Sequence, residues 1–159
     1  MTATTPLVAA NVATSNPNAS IGAPTAYSLV AGDVSSGLSI PASLFSGINA
    51  GLNYKQAGFL PERIRLVVNT TTAGTAFSIV VKATQPQTDV PHEAVPFPSA
   101  NAGDLTFNVN TVGVYYLGPF TSAQIMQPDG SILLNFTGTL GVTTIAILNQ
   151  AYAPAGPRG

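Results

Sequence analysis

The chain has 159 residues, contains no cysteine, and carries a net charge of −1 with only 7% charged residues. A chain of this length suits a single domain, and without cysteine it can form neither disulfides nor thiolate metal sites. Its five Lys and Arg residues are scattered, which excludes the clustered basic surface that nucleic-acid binding requires. Thr, Ser, Asn and Gln take the place of charge, and a low net charge favours association with other proteins.

Residues 1–26 differ from the rest of the chain in composition and in hydrophobic pattern. They contain Pro6, Pro17, Gly22 and Pro24 among small polar residues and show no sustained hydrophobic period. Such a stretch is typical of an extended segment rather than a core element, and it lacks the basic region of a secretory signal. We therefore predict an extended N-terminal arm over residues 1–26.

The predicted domain spans residues 27–152, and its first part is the least regular. The stretch over residues 26–42 favours one or two short strands, broken at Gly32-Asp33 and at Gly37. Residues 43–62 fit either a single helical turn or a long loop, and the sequence leaves both open.

Two alternating runs in the middle of the chain predict strands. "ERIRLVVN" (62–69) and "TAFSIVVKA" (75–83) each place every second apolar residue on one face, and a short glycine-containing loop separates them. Such a pair indicates a β-hairpin. The apolar faces are Ile64, Leu66 and Val68 in the first run and Phe77, Ile79 and Val81 in the second.

The stretch from Pro86 to Gly103 contains four prolines, each of which removes a hydrogen-bond donor from a strand ladder. We expect a long surface loop here, and long loops in compact domains are often binding elements.

The C-terminal part carries further short strands. They are predicted in "DLTFNVN" (104–110), "VGVYYLGPF" (112–120), "SAQIMQ" (122–127), "SILLNF" (131–136) and "VTTIAILNQAY" (142–152), with a turn at Pro128-Asp129-Gly130 and a flexible tail over 153–159. Seven to eight short strands without a convincing helix predict an all-β fold, an antiparallel β-sandwich or barrel of jelly-roll type. The stretch from Gly130 to Pro157 is uncharged, but Asn and Thr interrupt it, so two strands and no membrane span are expected.

Residues with catalytic or metal-binding chemistry are sparse. His92-Glu93 is the only His–carboxylate pair, one imidazole without cysteine cannot build a zinc site, and no Gly-x-Ser-x-Gly motif presents a nucleophilic serine. Asp89, Glu93 and Asp104 are an alternative calcium site, but the Asp-x-Asp-x-Asp-Gly spacing that would support it is missing. We therefore expect no enzyme activity, no cofactor and no metal.

The candidate functional residues are instead those of a protein interface. Arg63 and Arg65 lie two apart on one strand face, where they can pair with a partner's carboxylates or form a solvated face or charge-guarded edge; both interpretations stay open. Tyrosine suits a protein interface, because its ring can be buried in the assembly while its hydroxyl group stays in contact with water at the rim. The predicted interface residues are Arg63, Arg65, Phe97, Tyr115, Tyr116 and Phe120.

The stretch "LGPFTSAQIMQPDGSILLNF" (117–136), followed by "GVTTIAILN" (141–149), resembles the C-terminal part of head decoration, or cement, proteins of tailed bacteriophages. "RIRLVVNTTTAGTAFSIVVKA" (63–83) is similar to their central hairpin, so the likeness covers about residues 62–149. Typical members carry an Arg after the Gly-Pro-Phe step, where this chain has Gln124 and Ile125.

This resemblance implies a structural virion protein on the outer surface of the capsid. It would form a homotrimer and bridge major capsid protein subunits, so the expected partners are the major capsid protein and the chain itself, without nucleic acid or membrane. The alternatives are a phage tail or minor head structural protein and a jelly-roll carbohydrate-binding module.

Overall fold

The computed structural model describes residues 4–15, 24–45, 64–84, 103–120 and 122–150. These ranges contain ten strands, two short α-helices and two 3-10 helices, the latter at Ala9–Asn11 and Ala42–Phe45. The strands and α-helices are β1 (Thr5–Pro6), β2 (Val12–Ser15), β3 (Tyr27–Ser28), α1 (Ala31–Ser36), β4 (Leu38–Ile40), β5 (Ile64–Thr72), β6 (Thr75–Val81), β7 (Leu105–Asn108), β8 (Gly113–Leu117), α2 (Ser122–Ile125), β9 (Ile132–Thr139) and β10 (Val142–Gln150).

The strands form two sheets. Sheet I has the order β1-β4-β9-β6-β7, and sheet II has the order β2-β10-β5-β8, with β3 also pairing with β10. The β1–β4 and β2–β10 pairs are parallel, and the other pairs are antiparallel. The fold is therefore all-β and rich in antiparallel pairs, as predicted, with more strands than the predicted seven to eight.

One hydrophobic cluster lies between the two sheets. The alternating residues that the sequence assigned to the inner face of β5 and β6 are fully buried there, and Phe77 stacks on Phe136 with ring centroids 5.9 Å apart. Each large apolar side chain buried in this way contributes about 1.5–3 kcal/mol. The other cluster members from the sheets include Leu38, Ile40, Ile132, Leu134, Ile145 and Ile147.

The predicted β5–β6 hairpin is wrong, although both strands exist. β5 lies in sheet II between β10 and β8, whereas β6 lies in sheet I between β9 and β7. The short connection through Ala73 and Gly74 carries the chain from one sheet to the other. β9 and β10 are split between the sheets in the same way by Leu140 and Gly141. An alternating pattern identifies the buried face of a strand but not its hydrogen-bonded neighbour.

The two crossovers meet backbone to backbone. A Cβ added at Gly74 would lie 2.1 Å from the Thr139 carbonyl oxygen, and a Cβ added at Gly141 would lie 2.1 Å from the Thr72 carbonyl oxygen. Both distances are far below van der Waals contact, and the obstacle is main chain in each case. Only glycine therefore allows the two crossovers to pack against each other.

Residues 5–15, predicted as part of an extended arm, belong to the sandwich. β1 extends sheet I and β2 extends sheet II; the Leu7 N–H donates to the Ser39 carbonyl oxygen at 2.9 Å, and the Leu7 side chain lies in the core, 1% exposed. Buried Asn11 donates through Nδ2 to the Thr25 carbonyl oxygen at 2.8 Å. The short apolar run that begins at Leu7 has no sustained period, which is why the pattern predicted an arm.

The segment "SAQIMQ" also differs from its prediction. It contains the short helix α2 rather than a strand, and Ile125 is fully buried. The Thr84 N–H donates to the Gln124 carbonyl oxygen at 2.7 Å, and Gln127 Nε2 donates to the Ala83 carbonyl oxygen at 3.0 Å. The segment thus closes the end of β6 instead of pairing in a sheet. The predicted tail over 153–159 lies outside the described residues.

A Leu7→Ala substitution tests whether the N-terminal residues are part of the fold. Removing this buried side chain leaves a cavity, and the free energy of unfolding is expected to fall by about 2–5 kcal/mol. The control is Val8→Ala, because Val8 is 55% exposed and its truncation should change stability by less than about 0.5 kcal/mol. Equal urea midpoints for the two variants would contradict the integrated N-terminus.

A Gly141→Ala substitution tests the contact between the crossovers. The added methyl group has to displace main chain, so we expect a loss of about 3 kcal/mol, at the upper end of overpacking effects. Gly32→Ala is the matched control, because a Cβ at Gly32 meets nothing within 4 Å. Chemical unfolding of both variants measures the difference, and a stable Gly141→Ala protein would refute the close approach.

Candidate docking surface

The outer face of sheet II is formed by the residues that alternate with the core residues of its three long neighbouring strands. The strand register places Val67 opposite both Ala146 and Tyr116, and Asn69 opposite both Thr144 and Val114. These rows run across β10, β5 and β8. We call this surface the sheet II face; its residues are Arg65, Val67, Asn69, Val114, Tyr116, Thr144, Ala146 and Leu148.

Apolar side chains dominate the sheet II face. Tyr116 is 64% exposed and Val114 is 53% exposed, while Val67 and Leu148 are half-buried and Ala146 is buried. The outer face of sheet I also has half-buried apolar residues, Val80 and Leu133, but its exposed positions are amides and hydroxyls: Thr106, Asn108, Asn135 and Thr137. The two outer faces therefore differ in their exposed side chains, and the face with exposed Val114 and Tyr116 is the candidate for docking, because exposed apolar patches mark interaction sites.

Arg65 is the one charged residue of the sheet II face. It lies on β5, opposite Leu148 on β10, and its Nε is the only buried side-chain nitrogen or oxygen without a hydrogen bond among the described residues. The stem of the side chain is therefore packed on the sheet. The interpretation of Arg65 as a charge that guards a sheet edge is wrong, because β5 is a central strand flanked on both sides.

The other charged side chains that the structure describes have partners. Lys82 and Asp104 form an ion pair, and Asp104 also accepts a hydrogen bond from the Ala83 N–H at 2.7 Å. Asp129 accepts from the Ser131 hydroxyl at 2.6 Å and from the Ser131 N–H at 2.9 Å. These two hydrogen bonds, the hydroxyl first, hold the pKa of Asp129 below its ordinary value.

Buried Asp33 is satisfied by hydrogen bonds at the start of α1. The Tyr27 hydroxyl donates to Asp33 Oδ2 at 3.0 Å, and the Val30 N–H donates to the same atom at 2.9 Å. Burial, followed by the hydrogen bond and charge of Asp33, raises the pKa of Tyr27. Within the described part of the chain, Arg65 thus remains the charge without an ion-pair or hydrogen-bond partner.

The structure separates the six predicted interface residues. Arg65 and Tyr116 both lie on the sheet II face. Tyr115 points the other way: it packs against the core cluster, and its hydroxyl donates to the Thr111 carbonyl oxygen at 2.9 Å.

Phe120 is 4% exposed and meets Phe107 edge-on at 6.3 Å, so it is a core residue and not an interface residue. The chain ends β8 at Leu117 and turns through Gly118, where φ is +109°, before Phe120 packs into the cluster. Arg63 and Phe97 lie outside the described residues, as do Asp89, His92 and Glu93.

The described ranges contain no group of three or more His, Cys, Asp or Glu side chains placed to hold a metal ion. Asp104, the one member of the alternative calcium set that is described, is held by Lys82 and the Ala83 N–H. No helix in these ranges is long and apolar enough to span a membrane.

Comparison with protein-family models, with curated proteins and with solved structures gave no significant match. The function is therefore inferred from the sheet II face and from the resemblance in sequence.

Sequence reasoning missed the role of the apolar residues of the sheet II face. The alternation of β5 places Val67 on the strand face of Arg63 and Arg65, but Val67 was not included among the interface residues, and Ala146 and Leu148 were not assigned to a face. A signal for them was present, because consecutive apolar residues such as Val67-Val68 and Ala146-Ile147-Leu148 break the apolar–polar alternation of a strand with one solvated face. Runs of this kind indicate strands that are covered on both sides.

Replacing Arg65 by Met tests the state of this cation in the isolated protein. Methionine matches the aliphatic stem and removes a buried donor without an acceptor, and such an unsatisfied group costs about 1–3 kcal/mol. We expect the Arg65→Met protein to unfold at a higher urea concentration than the wild type. A lower midpoint would show that Arg65 has a stabilising partner in the free chain.

Proposed function

We propose that the chain is a structural virion protein of the head decoration type. It binds the outer surface of the assembled capsid through the sheet II face and bridges major capsid protein subunits. The observation that carries this proposal is the apolar sheet II face, on which Tyr116 and Val114 are more than half exposed. The resemblance of residues 62–149 to decoration proteins supports the same function, and no catalytic activity or cofactor is assigned.

The mechanism is the burial of apolar surface across the seams between capsid subunits. Each Å² of apolar surface removed from water stabilises the contact by about 25 cal/mol, less the free energy needed to order the partners. In a homotrimer, three such faces act together, so contacts that are weak singly give firm attachment. A stiff two-sheet scaffold suits this role because little order has to be gained on binding.

We also propose that the sandwich is of jelly-roll type. The order β4-β9-β6-β7 in sheet I faces β10-β5-β8 in sheet II, and β4, β5 and β6 alternate between the sheets. Alternation of successive strands between two facing sheets is a property of jelly rolls, which are common in viral capsid proteins and lectins.

A carbohydrate-binding module is less well supported by the described residues. Sugar recognition by stacking needs a platform of exposed aromatic rings, and Tyr116 is the only aromatic side chain among the exposed large apolar residues in the described ranges. A tail or minor head protein would use the same apolar face. Its copy number separates it from a decoration protein, because a decoration protein covers the whole shell.

Substitution of Tyr116 by Lys tests the proposed function. A lysine on the sheet II face would have to lose its hydration on docking, so we expect at least about tenfold weaker attachment to particles of the phage that encodes the chain. Occupancy is measured by quantitative mass spectrometry of purified particles, relative to the major capsid protein. The control is Thr106→Lys, which places the same charge at an exposed position of sheet I and should leave occupancy unchanged.

Wild-type protein at hundreds of copies per particle would support the decoration role. A few copies per particle would identify a tail or minor head component, and absence from particles would refute a virion function. Equal occupancy for both lysine variants would show that docking uses another surface.

A further inference from the structure

We propose that the sheet II face recognises a carboxylate of the major capsid protein, and that Arg65 is the residue that pairs with it. This inference rests on the proposed function and adds the chemistry of the partner: an Asp or Glu side chain surrounded by apolar residues.

Arg65 is the charged residue that has no intramolecular partner in the described part of the chain. The described charged residues other than Arg65 are held by intramolecular partners, as shown above for Lys82, Asp104, Asp129 and Asp33. Arg65 Nε is buried without an acceptor, and the sheet II face contains no Asp or Glu. The face is therefore apolar with one positive charge that the described chain does not neutralise.

Docking changes the hydration of Arg65. When an apolar surface covers the sheet II face, the guanidinium group of Arg65 loses its remaining water. A desolvated cation without a counter-charge is strongly unfavourable, whereas a carboxylate placed against it restores the lost interaction. Arginine suits such a site because its planar donors match a carboxylate in a bidentate arrangement. An uncharged partner would be rejected, so Arg65 gives the face specificity as well as affinity.

The position of Arg65 makes this discrimination effective. It lies on a central strand, beside Leu148 on β10 and two residues from Val67, whose row continues to Tyr116. Arg65 Nε is already buried, so this end of the guanidinium group has lost its water before the partner arrives. A carboxylate placed there would meet a partly dehydrated cation next to apolar side chains.

Two other occupants fit the face less well. A second copy docked face to face would bring two Arg65 side chains into one contact, and the described residues of the face supply no acid to compensate either of them. A nucleic-acid backbone needs several clustered cations, and the five Lys and Arg residues of the chain are scattered along the sequence. The major capsid protein is the remaining partner that the proposed function provides.

The experiment measures binding of purified full-length protein to expanded, DNA-free shells that lack it. Shells are used either untreated or after their carboxylates have been converted to neutral amides with carbodiimide and glycinamide. Wild-type, Arg65→Met and Arg65→Lys proteins are compared by co-sedimentation, with Thr106→Lys as the control for a surface change away from the face. The wild type and Arg65→Met, each measured on untreated and on amidated shells, give four affinities that form a thermodynamic cycle.

We expect Arg65→Met to bind untreated shells about 30-fold more weakly than the wild type, the loss typical of truncating one member of a buried charge pair. Arg65→Lys should retain part of the affinity. Amidation of the shells should weaken the wild type to a similar extent and should change binding of Arg65→Met much less. Because Arg65→Met is expected to be more stable than the wild type, a loss of binding cannot be attributed to unfolding.

The outcomes separate the two proposals. If the wild type binds untreated shells and Arg65→Met binds equally well, the carboxylate inference is wrong and the decoration function stands. If amidation weakens both proteins equally, the capsid carboxylates act elsewhere and the inference is likewise overturned. If Arg65→Met changes the sedimentation coefficient of the free protein but not its shell binding, the occupant is a second copy. A wild type that does not bind shells refutes the proposed function and, with it, the inference.

Discussion

The structure depends on the contact between the β5–β6 and β9–β10 crossovers. Gly74 and Gly141 bring main chain within 2.1 Å of where a Cβ would be, so the two connections lock against each other at one end of the sandwich. Because each connection carries the chain between the sheets, β5 and β10 belong to sheet II while β6 and β9 belong to sheet I. The composition of the two outer faces follows from that distribution.

The division of strands between the sheets also creates the candidate docking surface. β5, β8 and β10 become neighbours in sheet II although they are far apart in sequence, and each brings apolar residues at outward positions. Arg65, the second residue of β5, lies at one end of this surface, beside Leu148 and beyond the last residue of β8 in the register. An unpaired, partly dehydrated cation is unfavourable in the free protein, and residues that reduce stability in the free state are often retained for function.

The sequence predicted the strands better than their arrangement. The alternation of Ile64, Leu66 and Val68 was sufficient to identify the inner face of β5, since burial on one side is a local pattern. It could not identify β10 and β8 as the neighbours, because hydrogen-bonded pairing depends on residues 43 to 85 positions away. The burial of Leu7 was not predicted, because a single buried side chain produces no periodic pattern in the sequence. Of the site, Arg65 and Tyr116 were predicted from residue type, whereas Phe120 was not recognised as a core residue because aromatic residues suit both environments.

The Lys82–Asp104 ion pair has a consequence for the pairing of β6 with β7. The two residues lie 22 positions apart in the sequence, and the ion pair joins them just after the end of β6 and just before the start of β7. Since the free energy of closing a loop rises only slowly with its length, this contact and the ladder that begins at Val81 and Leu105 can hold the two strand ends together. The edge strand of sheet I is thus fastened at its first residue by charge as well as by main-chain hydrogen bonds.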